Sequence, residues 1–172
     1  QPNKLTACLD KYDKTMPSKE MMEIINVRDH RSGPESAARY IHGIWGRPQN
    51  LAFYLDAVLH SSLSGNALPR FYLMLDGERV AGCCALLTND LISRQDLWPW
   101  LACLYVEPDY RGRALGATLL EHGARKAKRM GYGALYLTTD HDSYYEKYGW
   151  SRMEDGYNLF GERSRIYWLE LN

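Results

Sequence analysis

The sequence predicts a single mixed α/β domain, and three observations predict it. Strand-length apolar runs alternate with longer stretches whose apolar residues recur every three to four positions. At 172 residues the chain is one domain long, and a chain of that size buries about 70% of its unfolded surface without metal or disulfide staples. Hydrophobic residues make up 45% and charged residues 24%, which excludes a disordered or collagen-like polymer.

The elements follow in order. Residues 1–20 are polar and interrupted by Pro17, and read as an extension ahead of a domain spanning 21–172. Residues 22–27 are short and β-branched, a first strand. Pro34 and Glu35 open a helix that runs through Ala38, Ile41 and Trp45, and Gly46 and Pro48 end it. A second helix covers 51–63, with Leu51, Leu55, Val58 and Leu59 on one face. Strands at 70–75 and 79–87 flank Asp76-Gly77, a hairpin signal because such turns need positive φ. Residues 97–106 are wholly apolar but number only ten, too few for a membrane span, and read as a buried strand. A glycine-containing turn then feeds a helix to Met130. Residues 134–139 form a strand, 143–148 a short helix, and 150–154 and 164–171 the last two strands.

Lys plus Arg and Asp plus Glu each number 21, so the formal charge is zero, which argues against a dedicated nucleic-acid binder. No charged segment followed by an apolar one opens the chain, so a signal peptide is not expected. Cys8, Cys83, Cys84 and Cys103 match no zinc spacing, and Cys83 and Cys84 would point to opposite faces of a strand. They read as small buried hydrophobes in a reducing compartment, which places the chain in the cytoplasm with no metal. The charges are unevenly spread. Residues 111–130 carry six Lys or Arg against Glu121 alone, whereas the segments around Asp96 and from Asp140 to Asp155 are acidic. Such a division suits an anionic ligand beside a cationic one.

The informative segment runs from Val106 to Leu120. An apolar strand enters a turn that leads directly into a helix, whose first amides have no internal partner. Gly112, Ala114, Gly116 and Ala117 leave room for a phosphate to reach those amides, and Arg111 and Arg113 add positive charge. Farther along, Gly116, Gly123, Ala124 and Ala127 make a small-residue face for tight packing on a sheet. No Gly-Lys-Ser/Thr follows, and the glycine spacing is wrong for a dinucleotide fingerprint. Taken alone, the segment fits either an anion site or an ordinary turn with a solvated basic helix.

Val106, Pro108, Tyr110, Arg111, Gly112, Ala114 and Gly116 together resemble the acetyl-coenzyme A motif of the GNAT superfamily of N-acetyltransferases. Its core, Arg/Gln-x-x-Gly/Ala-x-Gly/Ala, is matched by Arg111, Ala114 and Gly116, with Ala114 where glycine is commoner. Downstream, Tyr145-Glu146-Lys147-Tyr148-Gly149-Trp150 is similar to the family's Tyr-Glu-Lys-x-Gly-Phe ending. The resemblance spans about Met22 to Leu171. It implies a mixed, mostly antiparallel sheet of six or seven strands with helices on both faces, splayed between the fourth and fifth strands. It implies acetyl-coenzyme A (acetyl-CoA) as cosubstrate and direct attack by a primary amine in a ternary complex. The backbones of Leu104, Tyr105 and Val106 would receive the pantetheine arm. Arg111, Gly112, Arg113, Ala114, Leu115, Gly116 and Ala117 would wrap the pyrophosphate.

By the same resemblance Tyr145 is the acid for the departing thiolate, with Tyr144 and Tyr148 packing or touching the cofactor. The base is open. Some relatives use a glutamate about where Trp100 stands, so Asp96, His141, Asp140 or a water chain are the candidates. The acceptor pocket is expected at Trp45, Tyr54, Trp98 and Trp100 with Asp56, Asp90, Asp96 and Asp140. Aromatics and carboxylates would suit a cationic amine, although core packing explains the aromatics equally. The expected partner is a small-molecule amine, with neither nucleic acid nor membrane, and a homodimer is left open. The acceptor could instead be an aminoglycoside or peptide amino group, or the chain a non-catalytic acyl-CoA sensor.

Overall fold

Period-two burial in the central strands sorts the core onto two faces. The computed structural model describes residues 22–172. The expected extension at residues 1–20, and Cys8 with it, lies outside the described residues. In chain order the elements are β1 (Met22–Asn26), α1 (Gly33–Trp45), α2 (Leu51–Leu63), β2 (Arg70–Asp76), β3 (Arg79–Leu87) and β4 (Trp100–Val106). There follow α3 (Leu115–Arg129), β5 (Ala134–Thr139), β6 (Ser151–Tyr157) and β7 (Arg163–Glu170). The seven strands form one sheet in the order β1-β2-β3-β4-β5-β7-β6. Every neighbouring pair is antiparallel except β4 and β5.

Tyr72, Met74, Cys84 and Leu86 pack toward Leu115, Leu119 and Leu120 of α3 on one face. Phe71, Leu73, Cys83 and Ala85 pack toward Ala37, Ala38 and Ile41 of α1 and Val58 of α2 on the other. Cys83 and Cys84 therefore do serve opposite faces, and helices cover both. The tightest helix–sheet contact is at Gly123, where a Cβ would come within 2.2 Å of Leu101 Cδ1. That absent methyl lets α3 sit directly on β4, which fixes the start of α3 against the end of that strand. His122 is buried beside it, its ring 4.7 Å from that of Tyr72, and burial pushes its imidazole down to about 4.

Several boundaries differ from the sequence expectation, each for a local reason. β1 stops at Asn26 because the Asn26 side chain accepts from the Arg28 amide and caps a short 3-10 turn. The β2–β3 turn is centred on Gly77-Glu78 rather than Asp76-Gly77. Asp76 still pairs with Arg79, and Gly77 alone takes positive φ, +59°. β4 begins at Trp100 instead of Leu97, since Pro99 has no N–H to give a ladder. Residues 145–148 form a 3-10 turn rather than a longer helix, and β6 runs on to Tyr157 past a register shift between Arg152 and Asp155. Among the described residues no helix is long and apolar enough to cross a membrane.

Candidate active site

The parallel pair β4 and β5 shares one registered position, Trp100 with Tyr136, supported by the Tyr136 amide donating to the Pro99 carbonyl at 3.0 Å. Beyond that point each strand follows its other neighbour. β3 pairs with β4 through a bulge: Cys83 faces Tyr105 and Ala85 faces Ala102, so β4 carries one extra residue. Cys103 sits in that bulge at φ +51°, and the Cys83 thiol donates to its carbonyl at 3.2 Å. The strands therefore part toward their carboxyl ends, and two clefts open into the gap.

The first cleft, about 570 Å³, is lined by Leu104, Tyr105 and Val106 of β4 and by Arg111, Gly112, Ala114, Leu115, Gly116 and Ala117. Nine of the ten residues expected to hold the cofactor thus converge on one wall. The tenth, Arg113, is not part of that lining; its guanidinium lies 5.4 Å from the Tyr110 ring centroid. Gly112 at φ +78° and Ala114 at φ +56° turn the chain so that amides at the head of α3 face the cleft. The first bond within the helix is from the Thr118 amide to the Ala114 carbonyl, which leaves the amides of Leu115, Gly116 and Ala117 for an anion. Arg111 ties the turn to the strand end. Its Nε donates to the Val106 carbonyl at 3.0 Å, and its guanidinium lies 5.5 Å from the Tyr105 ring centroid.

Opposite that wall stand Tyr144, Tyr145 and Tyr148. A Cβ on Gly116 would come 3.3 Å from the Tyr144 hydroxyl, so this tyrosine hangs over the amide turn. Burial, then a hydrogen bond with Tyr148, pushes the Tyr144 phenol up to about 12. Tyr145 is buried among Tyr144, Trp150 and Tyr167. Burial raises its phenol above the ordinary range, and a hydrogen bond with Thr139 pulls it partly back. A phenol in that setting stays protonated at neutral pH, the form an acid requires.

A second cleft, about 400 Å³, lies on the α1–α2 side and shares Leu104, His141 and Tyr145 with the first. Trp45, Tyr54, Asp90, Cys103 and Asp140 also line it. Trp45 stands edge-on to Tyr105, ring centroids 6.0 Å apart. The expected site residues Trp45, Asp140, His141 and Tyr145 are thus brought together.

Two others are not. Asp96 lies outside both clefts, held by Arg94 through bonds of 2.8 and 2.6 Å that keep its carboxylate below the usual range. A carboxylate so held is a poor proton acceptor. Trp98 is 54% exposed and borders a separate shallow depression with Asn66 and Gln95. Trp100 is wholly buried, its indole donating to the Leu97 carbonyl, and serves as core.

Besides the exposed Asp140, the acid that lines the second cleft is Asp90, just past the end of β3. It is half-buried, forms no ion pair among the described residues, and burial alone pushes its carboxyl up to about 7. The sequence analysis named it among the pocket acids, but the signal was slight: an acid three residues beyond the apolar end of β3. Cys103 had none, since nothing in Leu101 to Val106 announces a bulge. Among the described residues no cluster of three His, Cys, Asp or Glu could hold a metal ion.

With this geometry in view, the sequence matches the acetyltransferase (GNAT) family over residues 26–150. No curated protein matches it. Solved structures share the fold. An Elizabethkingia anophelis GNAT family acetyltransferase with acetyl-CoA bound superposes with a TM-score of 0.64 at 18% identity, covering 89% of this chain and 100% of that one. An acetyltransferase from Streptococcus agalactiae gives 0.59 at 22% identity, over 88% and 99% of the two chains. An N-acetyltransferase from Staphylococcus aureus gives 0.64 at 15% identity over the same shares.

Proposed function

The chain belongs to the GNAT acetyltransferase family, and we propose that it moves an acetyl group from acetyl-CoA to a primary amine by direct attack in a ternary complex. One observation carries this reading: two clefts, one floored by unpartnered helix amides, meet at a single protonated tyrosine in the gap between β4 and β5. The first cleft suits acetyl-CoA. Amides at residues 115–117 would hold the pyrophosphate, and Leu104 and Tyr105 would lie along the pantetheine. When bound, acetyl-CoA supplies an acyl carbon activated as a thioester.

The residues of this chain then handle protons. An alkylamine has a pKa near 10 and arrives as the ammonium ion, so one proton must leave before attack. Asp90 faces the second cleft with a carboxyl poised near neutrality, suited first to pair with the ammonium and then to take its proton. As the nitrogen–carbon bond forms, the carbon–sulfur electron pair goes to sulfur, and Tyr145 supplies the proton that makes the free thiol. The second amine proton restores Tyr145 through the cleft, so one proton is released per turnover.

A covalent acyl-enzyme is not favoured. Cys103 is the thiol of the second cleft, and burial, with Asp90 nearby, pushes it far from the thiolate form. A reducing, cytoplasmic setting belongs to this reading, since Cys83, Cys84 and Cys103 are free.

Gly116→Val tests the cofactor half, because it puts a branched side chain between the amide turn and Tyr144. Calorimetry should show acetyl-CoA binding weakened about tenfold or more, roughly 1.4 kcal/mol. Unchanged affinity would overturn the assignment of the turn. Tight acetyl-CoA binding with no amine-dependent release of coenzyme A would favour the sensor.

A further inference from the structure

The second cleft adjoins a third, about 300 Å³, with which it shares Tyr54, Asp90 and Cys103. Ile41 of α1, Phe53, Ala57 and Val58 of α2, Phe71 of β2 and Leu87 of β3 supply most of its wall. Among the described residues Asp90 is the single charged one in its lining. The cavity is thus a mainly apolar slot, with Ser61, Thr88 and Asn89 as neutral polar lining and one carboxylate where it borders the second cleft.

The loop carrying that carboxylate is built to hold it there. Asn89 accepts from the Ile92 amide at 2.9 Å and donates to the Arg94 carbonyl at 3.3 Å, closing the loop on itself. Ser93 anchors it to β6, its amide donating to the Tyr157 carbonyl at 2.8 Å while its hydroxyl accepts from the Tyr157 amide at 3.0 Å. Leu91 takes φ +52°, a conformation that costs a leucine energy, and its side chain stands at the rim of the slot.

We propose that the acceptor is a primary amine joined by a short linker to one apolar group, a single ring or a branched alkyl chain. Its ammonium lies against Asp90 and its apolar arm fills the third cleft; this deepens the acetyltransfer reading and rests on it. Geometry sets the class. Ligand pockets run from roughly 300 to 1,000 Å³, so this slot is at the small end and takes one ring rather than a fused system. A polyamine lying along the slot would meet no second carboxylate among its described lining, since the other acid nearby, Asp140, lines the second cleft. A polyhydroxylated aminosugar would bury more hydroxyls against Ile41, Val58 and Phe71 than Ser61, Thr88 and Asn89 of the same lining can pair. The linker is short because Asp90 borders both cavities, leaving the nitrogen one cleft away from Tyr145.

The test follows thiol release from acetyl-CoA with 2-phenylethylamine, isopentylamine, ethylamine, spermidine and an aminoglycoside. The expected order in kcat/KM places the first two about tenfold or more above ethylamine and above both polycations. Ala57→Phe fills the slot from α2 and should lower the ratio of kcat/KM for 2-phenylethylamine to that for ethylamine about tenfold. Should that variant melt early, Ala57→Leu must give a smaller loss of the same selectivity. Preference for spermidine or the aminoglycoside, or an equal loss with every amine, overturns the proposal. The two readings separate by calorimetry. Saturable binding of 2-phenylethylamine without turnover keeps the slot and sinks acetyl transfer, whereas turnover of polar amines alone keeps the transfer and sinks the slot.

Discussion

Replacing Asp90 by asparagine should make the protein more stable and less active, with the stability gain appearing only as the pH rises. Burial lifts the carboxyl from 3.8 to about 7 in the folded chain. Between those values the folded state holds a proton that the unfolded state has released, so wild-type stability falls as pH increases and levels off above about 7. A rise of about three pKa units is worth about 4 kcal/mol at 1.36 kcal/mol per unit. Water entering the open clefts lowers that ceiling. Asparagine fills the same space with no charge to desolvate, so the gain of Asp90→Asn over wild type should be about 0.5 kcal/mol at pH 4, about 2 at pH 5 and up to about 4 at pH 8. Urea unfolding at these three pH values measures it, and the comparison cancels the opposite slope that buried His122 gives both proteins. Turnover should fall roughly a hundredfold or more with the loss of the base. A stability difference that is flat with pH would refute the reasoning, since Asp90 would then titrate as an ordinary surface acid.

Tyr145→Phe keeps the ring against Trp150 and Tyr167 and removes only the hydroxyl. Its kcat should fall about a hundredfold with acetyl-CoA affinity held within about twofold by calorimetry, and an undiminished rate would remove Tyr145 as the acid. Ala114 occupies the left-handed region at φ +56°, so Ala114→Gly should raise stability by about 0.5–1 kcal/mol and tighten acetyl-CoA binding modestly. A loss of stability in thermal melts would show that the turn is not strained by the methyl group.

Much of the fold was legible in the sequence, because local signals and tertiary packing agree there. α2 and β3 have the boundaries that periodicity gives them, and the amide turn follows from four small residues at the head of a helix. Tyr145 was reachable through its motif. The acceptor side was legible only in part: Trp45, Tyr54, Asp90 and Asp140 were expected there and line the second cleft, but the choice among the acids was not readable, for a physical reason. Asp90 and Asp96 are the same residue type six positions apart on one loop, and only the fold decides which is paired. Arg94 neutralises Asp96 at the surface, while Asn89 and Ser93 hold Asp90 in a half-buried pocket. Trp98 and Trp100 divide in the same way, one exposed beyond Pro99 and the other in the core. The Cys103 bulge, which turns β4 away from β5, depends on register against β3 and leaves no mark in composition.

The most direct measurement mixes the protein, in excess, with radiolabelled acetyl-CoA, quenches in acid, and locates the label with and without 2-phenylethylamine. Direct transfer predicts that without amine the label stays on coenzyme A. With amine it passes to the nitrogen as an equal amount of free thiol appears. Label on the protein before amine is added, on Cys103 or elsewhere, would contradict a ternary complex, and label that never leaves coenzyme A for any amine of the panel would contradict acetyl transfer itself.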